Sequence, residues 1–171
     1  MRLENLLEQK KNTILKKWFD RIVQTYPADT SNFLKSQKDP FANPVGGTFK
    51  RGLEAVFDIL VNGWDQDAVN SFLDPLIRIR AIQGFSPSQA VGFIFLLKTI
   101  VRDIVGKTHK TGFELKELLD FESKIDELGL SAFNIYVNCR EKIYELQASE
   151  MRNTTFSAFE RAGLVADIPE S

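Results

Sequence analysis

At 171 residues and a net charge of −1, the chain has the length of one domain and lacks the basic surplus that nucleic-acid binding requires. Apolar residues make up 43% and charged residues 26%, ordinary values for a globular protein. A single cysteine excludes an internal disulfide framework, and the charges inside the N-terminal apolar pattern exclude a signal peptide, so the expected compartment is the cytoplasm.

Residues 2–25 read as one amphipathic helix, with Leu3, Leu6, Leu7, Ile14, Leu15, Trp18, Phe19, Ile22 and Val23 at helical spacing. Lys10, Lys11, Lys16 and Lys17 fall between them as a solvated face. Tyr26-Pro27 ends this helix, because a residue before proline disfavours the α region. A short helix from Ala28 to Ser36 follows, with Phe33 and Leu34 expected to face inward. Asn43 and Pro44 supply the N-cap and first position of the next helix, which runs to about Asn62 with Gly63 just past its end. Gly46, Gly47 and Gly52 lie within it and suit close helix–helix approach. The lysine and hydroxyl pattern of a phosphate loop is missing.

Residues 65–83 read as a helix broken at Asp74-Pro75, a second N-cap and first-position pair. The piece after the break turns Leu76, Ile77, Ile79 and Ile82 inward. Arg78 and Arg80 project about 200° apart, so one of them reaches the core edge and meets a carboxylate or a helix C-terminus. Ser86, Pro87 and Gln89 then form a capping box that opens a helix over 86–105. From Ala90 to Leu97 its apolar residues cover every face, which places it at the centre of a bundle. The apolar run is far shorter than the roughly 20 residues a membrane span needs.

The only histidine, His109, lies in the polar turn 106–112, the wrong setting for an axial haem ligand or a metal site. From Phe113 to about Ala148 a near-heptad seam runs through Leu118, Phe121, Ile125, Leu128, Ala132, Ile135, Cys139, Ile143 and Leu146, with Gly129 as a candidate kink. Glu114, Glu117, Asp120, Glu122, Asp126 and Glu127 read as its solvated face. Phe133, Tyr136, Val137 and Tyr144 stand off the seam, a second apolar set that suits self-association as a dimer through this helix. The C-terminal segment carries a Schellman pattern, Phe159 with Gly163 and Leu164, after an expected break near residues 153–155.

FANPVG at 41–46, IRIRAIQGFSPSQAVGFIFLLK at 77–98 and AFNIYVNCREKIYE at 132–145 resemble the N-terminal domain of RsbRD-type RsbT co-antagonist proteins of the bacterial stressosome. The resemblance covers most of residues 3–150 and implies a globin-like, haem-free helical fold for the domain 1–150, while residues 151–171 read from their own pattern as a helical extension and frayed tail. It also implies a non-enzymatic sensory role. In that family a STAS domain, phosphorylated by the kinase RsbT, usually follows, and this sequence ends where one would begin. The expectation is therefore an all-α bundle of about six to seven helices around the central helix 86–105. Its role is that of a sensory or protein-interaction module, with no cofactor, catalytic or metal residues. Arg78, Arg80, Phe133, Tyr136, Val137 and Tyr144 are its candidate interaction or pocket residues. The alternative is a small-molecule carrier with a Phe-lined pocket. A large apolar cavity favours the carrier, and an exposed apolar strip favours the interaction module.

Overall fold

The computed structural model describes residues 2–107 and 115–164. Of the turn expected over 106–112, Gly106 and Lys107 are helical, and residues 108–112, with His109, lie outside the described residues. All regular structure within them is helical, an all-α bundle of eight helices. They are α1 (Leu3–Gln9), α2 (Lys11–Val23), α3 (Ala28–Ser36), α4 (Pro44–Asn62), α5 (Gln66–Ile82), α6 (Pro87–Val91), α7 (Leu96–Lys107) and α8 (Leu115–Arg161). The chain divides into two units, one ending at Tyr136 and the other beginning at Val137.

In the first unit α4 packs against α1, α2, α3 and α5, and α2 against α7. Trp18, Phe57, Leu53, Leu60, Leu73 and Ile77 are among the fully buried side chains that fill the space between them. Several ends form as the local sequence dictates. The Asn43 side chain accepts from the Gly46 amide at 2.8 Å and opens α4. The Ser86–Gln89 capping box is present in both directions. Gly52 lets α5 approach, since a Cβ there would stand 2.8 Å from Leu76.

Tertiary packing overrides the sequence reading at several places. The first predicted helix is divided at Lys10, whose φ of −101° and ψ of 4° separate α1 from α2. Phe33 is exposed, and only Leu34 of that pair is buried. α5 runs unbroken through Pro75, because Leu73, Leu76 and Ile77 on either side of it are fully buried and hold the helix in register. Ile82, expected inward, is 68% exposed at its end. Glu122 is not on a solvated face: it is 7% exposed, and Arg102 grips both its oxygens at 2.6 Å. α8 continues through residues 153–155 to Arg161 without a break.

The stretch 86–105 buries one set of apolar residues, among them Ala90, Phe93, Ile94, Leu97 and Val101, but leaves others exposed, and it forms two helices, α6 and α7, joined by a turn over 92–95. Leu97 donates to the Ile94 carbonyl at 3.2 Å rather than to that of Phe93. The Phe93 carbonyl instead accepts the Trp18 indole N–H at 2.7 Å, a buried partner that offsets the lost helical bond. Phe95 is consequently 41% exposed, with its ring laid against Gly129 of α8. The C-terminal end of α8 closes as the sequence predicts. Leu164 donates to the Phe159 carbonyl at 2.9 Å and Gly163 to that of Glu160 at 3.0 Å.

Candidate functional site

Leu73, Leu76, Ile77, Arg80 and Ala81 occupy one stripe of α5, spaced by three and four residues. That periodicity carries Arg80 into the interior, where its accessibility is 0%. Arg78 takes the opposite side, as the 200° offset requires, and forms a two-pronged pair with Asp74 at 3.0 and 3.1 Å. The two arginines are thus not brought together, and Arg80 is the one that reaches the core edge. Among the described residues it meets no carboxylate: its Nη2 donates to the Thr25 hydroxyl at 3.2 Å and to the Gln89 carbonyl at 2.9 Å, while Nε and Nη1 are buried with no hydrogen-bond partner.

Three aromatic rings enclose the guanidinium. Its carbon lies 4.2 Å from the Phe85 ring centre, 5.5 Å from that of Phe93 and 5.6 Å from that of Tyr26. Such rings attract a desolvated cation through their negative faces. The position of Phe85 follows from how α5 ends. Gly84, at φ +77°, is a Schellman C′ residue, with Gly84 donating to Ala81 and Phe85 to Arg80. In that motif the residue after glycine folds onto the one five positions earlier, and here the pair is Phe85 and Arg80. Tyr26 meets Phe85 edge-on at 5.4 Å and donates its hydroxyl to the Gln83 side chain at 2.7 Å.

Burial pulls the Arg80 guanidinium below its ordinary value and pushes the Tyr26 phenol above its own; in each case the opposite group offsets part of the shift. Among the described residues the cation has no ionised partner, and half-buried Tyr26 and Phe85 cover it.

Tyr136 belongs to the same constellation, because its hydroxyl donates to the Phe85 carbonyl at 2.6 Å. With Trp18 and Arg80 it makes three donors, from α2, α5 and α8, that hold backbone carbonyls between Phe85 and Phe93. Phe133 is exposed on α8 in the first unit. Val137 and Tyr144 belong to the second unit. Val137 is half-buried, and exposed Tyr144 has the Arg140 guanidinium over its ring at 4.8 Å and accepts its Nη2 at 2.7 Å. Tyr26, Phe85 and Phe93 were not among the candidates drawn from sequence. Gly84-Phe85 behind Arg80 was a readable signal for one of them.

A second feature of the first unit is a groove of about 470 Å³ floored by Leu15, Phe19 and Leu53. Lys16, Lys35 and Lys50 stand around it with Asp20 and Glu54. Lys16 and Lys35 pair with Asp20 at 3.3 and 3.5 Å, and Lys50 sits 5.0 Å above the Phe19 ring. Its lining includes one phenylalanine and nothing from the stretch 86–105, so it is not the Phe-lined pocket around that stretch. Among the described residues no helix is long and apolar enough to cross a membrane.

The family model for the RsbT co-antagonist protein rsbRD N-terminal domain matches residues 12–151. An uncharacterized protein of Archaeoglobus fulgidus is 24% identical over 147 residues, covering 84% of this chain and 85% of that protein. No solved structure matches.

Proposed function

The chain belongs to the RsbT co-antagonist protein rsbRD N-terminal domain family, and from that premise we propose that it is a non-enzymatic, cytoplasmic signalling module that acts through protein–protein contact. In this reading residues 1–150 form the signalling domain, residues 151–171 a C-terminal extension, and α8 the contact element, which pairs with a second copy of the chain. The observation that carries the reading is the exposure of α8 in the second unit. From Val137 to Arg161 no residue is buried among the described residues, and Tyr144, Leu146, Met151, Phe156 and Phe159 are exposed. A helix gains most of its stability from packing an apolar face, and a long helix without such packing is marginal in water. Pairing supplies that face. Val137 and Tyr144 stand seven residues apart on the same side of the helix, where they serve as contact residues.

Sedimentation equilibrium at micromolar concentration tests this reading. The expected mass is twice the 19.5 kDa of the chain. It should fall to the monomer on Val137→Glu combined with Tyr144→Glu. A wild-type monomer, or a dimer unchanged in the double variant, overturns pairing through this face. The lysine-rimmed groove over Phe19 favours a second reading, a small-molecule-binding protein. That reading expects an anionic apolar dye to bind the groove and Lys50→Glu to weaken it.

A further inference from the structure

We propose that Arg80 is the recognition point of a ligand site for a small monocarboxylate with an apolar body, closed in this structure by a lid made of Tyr26 and Phe85. The proposal rests on the sensory reading of the module and names the chemistry that it would sense. A buried guanidinium is costly unless an opposite charge or a full set of acceptors balances it. Arg80 has two neutral acceptors in good geometry, both on Nη2, with the neutral Tyr26 hydroxyl close beside it, and among the described residues its Nε and Nη1 have no hydrogen-bond partner. A carboxylate is the group whose geometry and charge match a guanidinium edge. The described contacts of Arg80 include no second cation, which suits a single negative charge rather than a phosphate dianion. With the lid of Tyr26 and Phe85 displaced, the Phe93 ring remains as a wall, which suits a flat apolar body behind the carboxylate.

Thr25, Gln83, Ser86 and Gln89 around the cage are all exposed, and half-buried Tyr26 and Phe85 are the side chains that a ligand would displace. Tyr26 is held over the guanidinium by its hydroxyl bond to exposed Gln83, a bond that water can replace. Phe85 is tied through its carbonyl to Tyr136, the last residue of the first unit. Displacing Phe85 on ligand binding would load that bond, so α8 reads the occupancy of the site.

Benzoate is the probe, with acetate and inorganic phosphate in parallel. The readouts are the Arg80 Nε–H resonance in a ¹⁵N-labelled protein and thermal unfolding of the same samples. Benzoate should shift the Arg80 resonance saturably, more than phosphate does, and raise the unfolding temperature. Tyr26→Ala removes part of the lid and should tighten apparent binding by roughly tenfold, because a closed majority state taxes affinity by its population. Arg80→Met should abolish the thermal effect; if that variant does not fold, the wild-type resonance still decides. An Arg80 signal unmoved by benzoate in both the folded wild type and Tyr26→Ala overturns the site. An equal response to phosphate overturns its carboxylate specificity. Sedimentation of the same samples separates the two proposals, since a silent Arg80 in a protein that still pairs through α8 removes the ligand site alone.

Discussion

The hydroxyl of Tyr136 donates to the backbone carbonyl of Phe85 across 2.6 Å, joining α8 to the turn that lies over Arg80. Tyr136 is buried, and the bond links positions 51 residues apart in the chain. Tyr136→Phe keeps the ring and removes only this donor. The carbonyl then loses its partner in a partly buried setting, which costs about 1–2 kcal/mol. Urea unfolding should show a lower midpoint with an unchanged slope. An unchanged midpoint would mean that the carbonyl is satisfied elsewhere and that α8 is not coupled to the turn through this bond.

Gly129 was readable from sequence only as a candidate kink, yet its place is set by Phe95. A Cβ at position 129 would collide with the tip of the Phe95 ring. Gly129→Ala gains about 1 kcal/mol of helix propensity. It also forces the ring aside, an overpacking cost of about 1–3 kcal/mol. The collision should win, with a net loss of up to about 2 kcal/mol. Adding Phe95→Leu shortens the colliding side chain and should restore most of it, since Phe95 is itself partly exposed. Additive losses in the double variant would sink the pairing of these two positions.

Glu122 supplies the pH dependence. Hydrogen bonds from Arg102 hold its carboxyl below the ordinary glutamate value, against the opposing effect of burial. A carboxyl whose folded pKa is depressed stabilises the fold above its unfolded pKa. That contribution is lost as the pH falls through the folded value. Stability of the wild type should therefore decline on acidification below the ordinary glutamate range. In Glu122→Gln that part of the decline should be missing. Identical pH profiles for the two proteins would refute a stabilising role for the Arg102–Glu122 pair.

The features legible in the sequence were the local ones. Asn43-Pro44, Ser86 with Gln89, and Phe159 with Gly163-Leu164 each act within a few residues, so their spacing is enough to place them. That Arg78 and Arg80 turn to opposite sides also followed from helical geometry alone, but which of them turns inward did not. What surrounds Arg80 did not, because Thr25, Tyr26 and Phe93 come from other parts of the chain. The turn over residues 92–95 was hidden for the same reason. It depends on the indole of Trp18, 75 residues away from Phe93, and nothing in the apolar run itself announces a break. The buried Glu122 escaped notice because the residues between seam positions look solvated until a partner helix presents an arginine.

Pro75 is the last case, and it sets two backbone effects against each other. It stands inside α5, where a proline lacks the N–H that would bond to the carbonyl four residues earlier. In a helix interior this costs about 3 kcal/mol relative to alanine. Proline also restricts the unfolded chain, which returns about 0.4–1 kcal/mol. The local backbone is already adapted to the ring, so Pro75→Ala recovers only part of the difference. Because Pro75 is exposed, the change leaves no cavity. The expected outcome is a gain of about 1–2 kcal/mol, or a rise in Tm of about 2–8 °C for a chain of this size. A fall in Tm would show instead that the proline shapes α5 so that Leu73 and Leu76 can both reach the core.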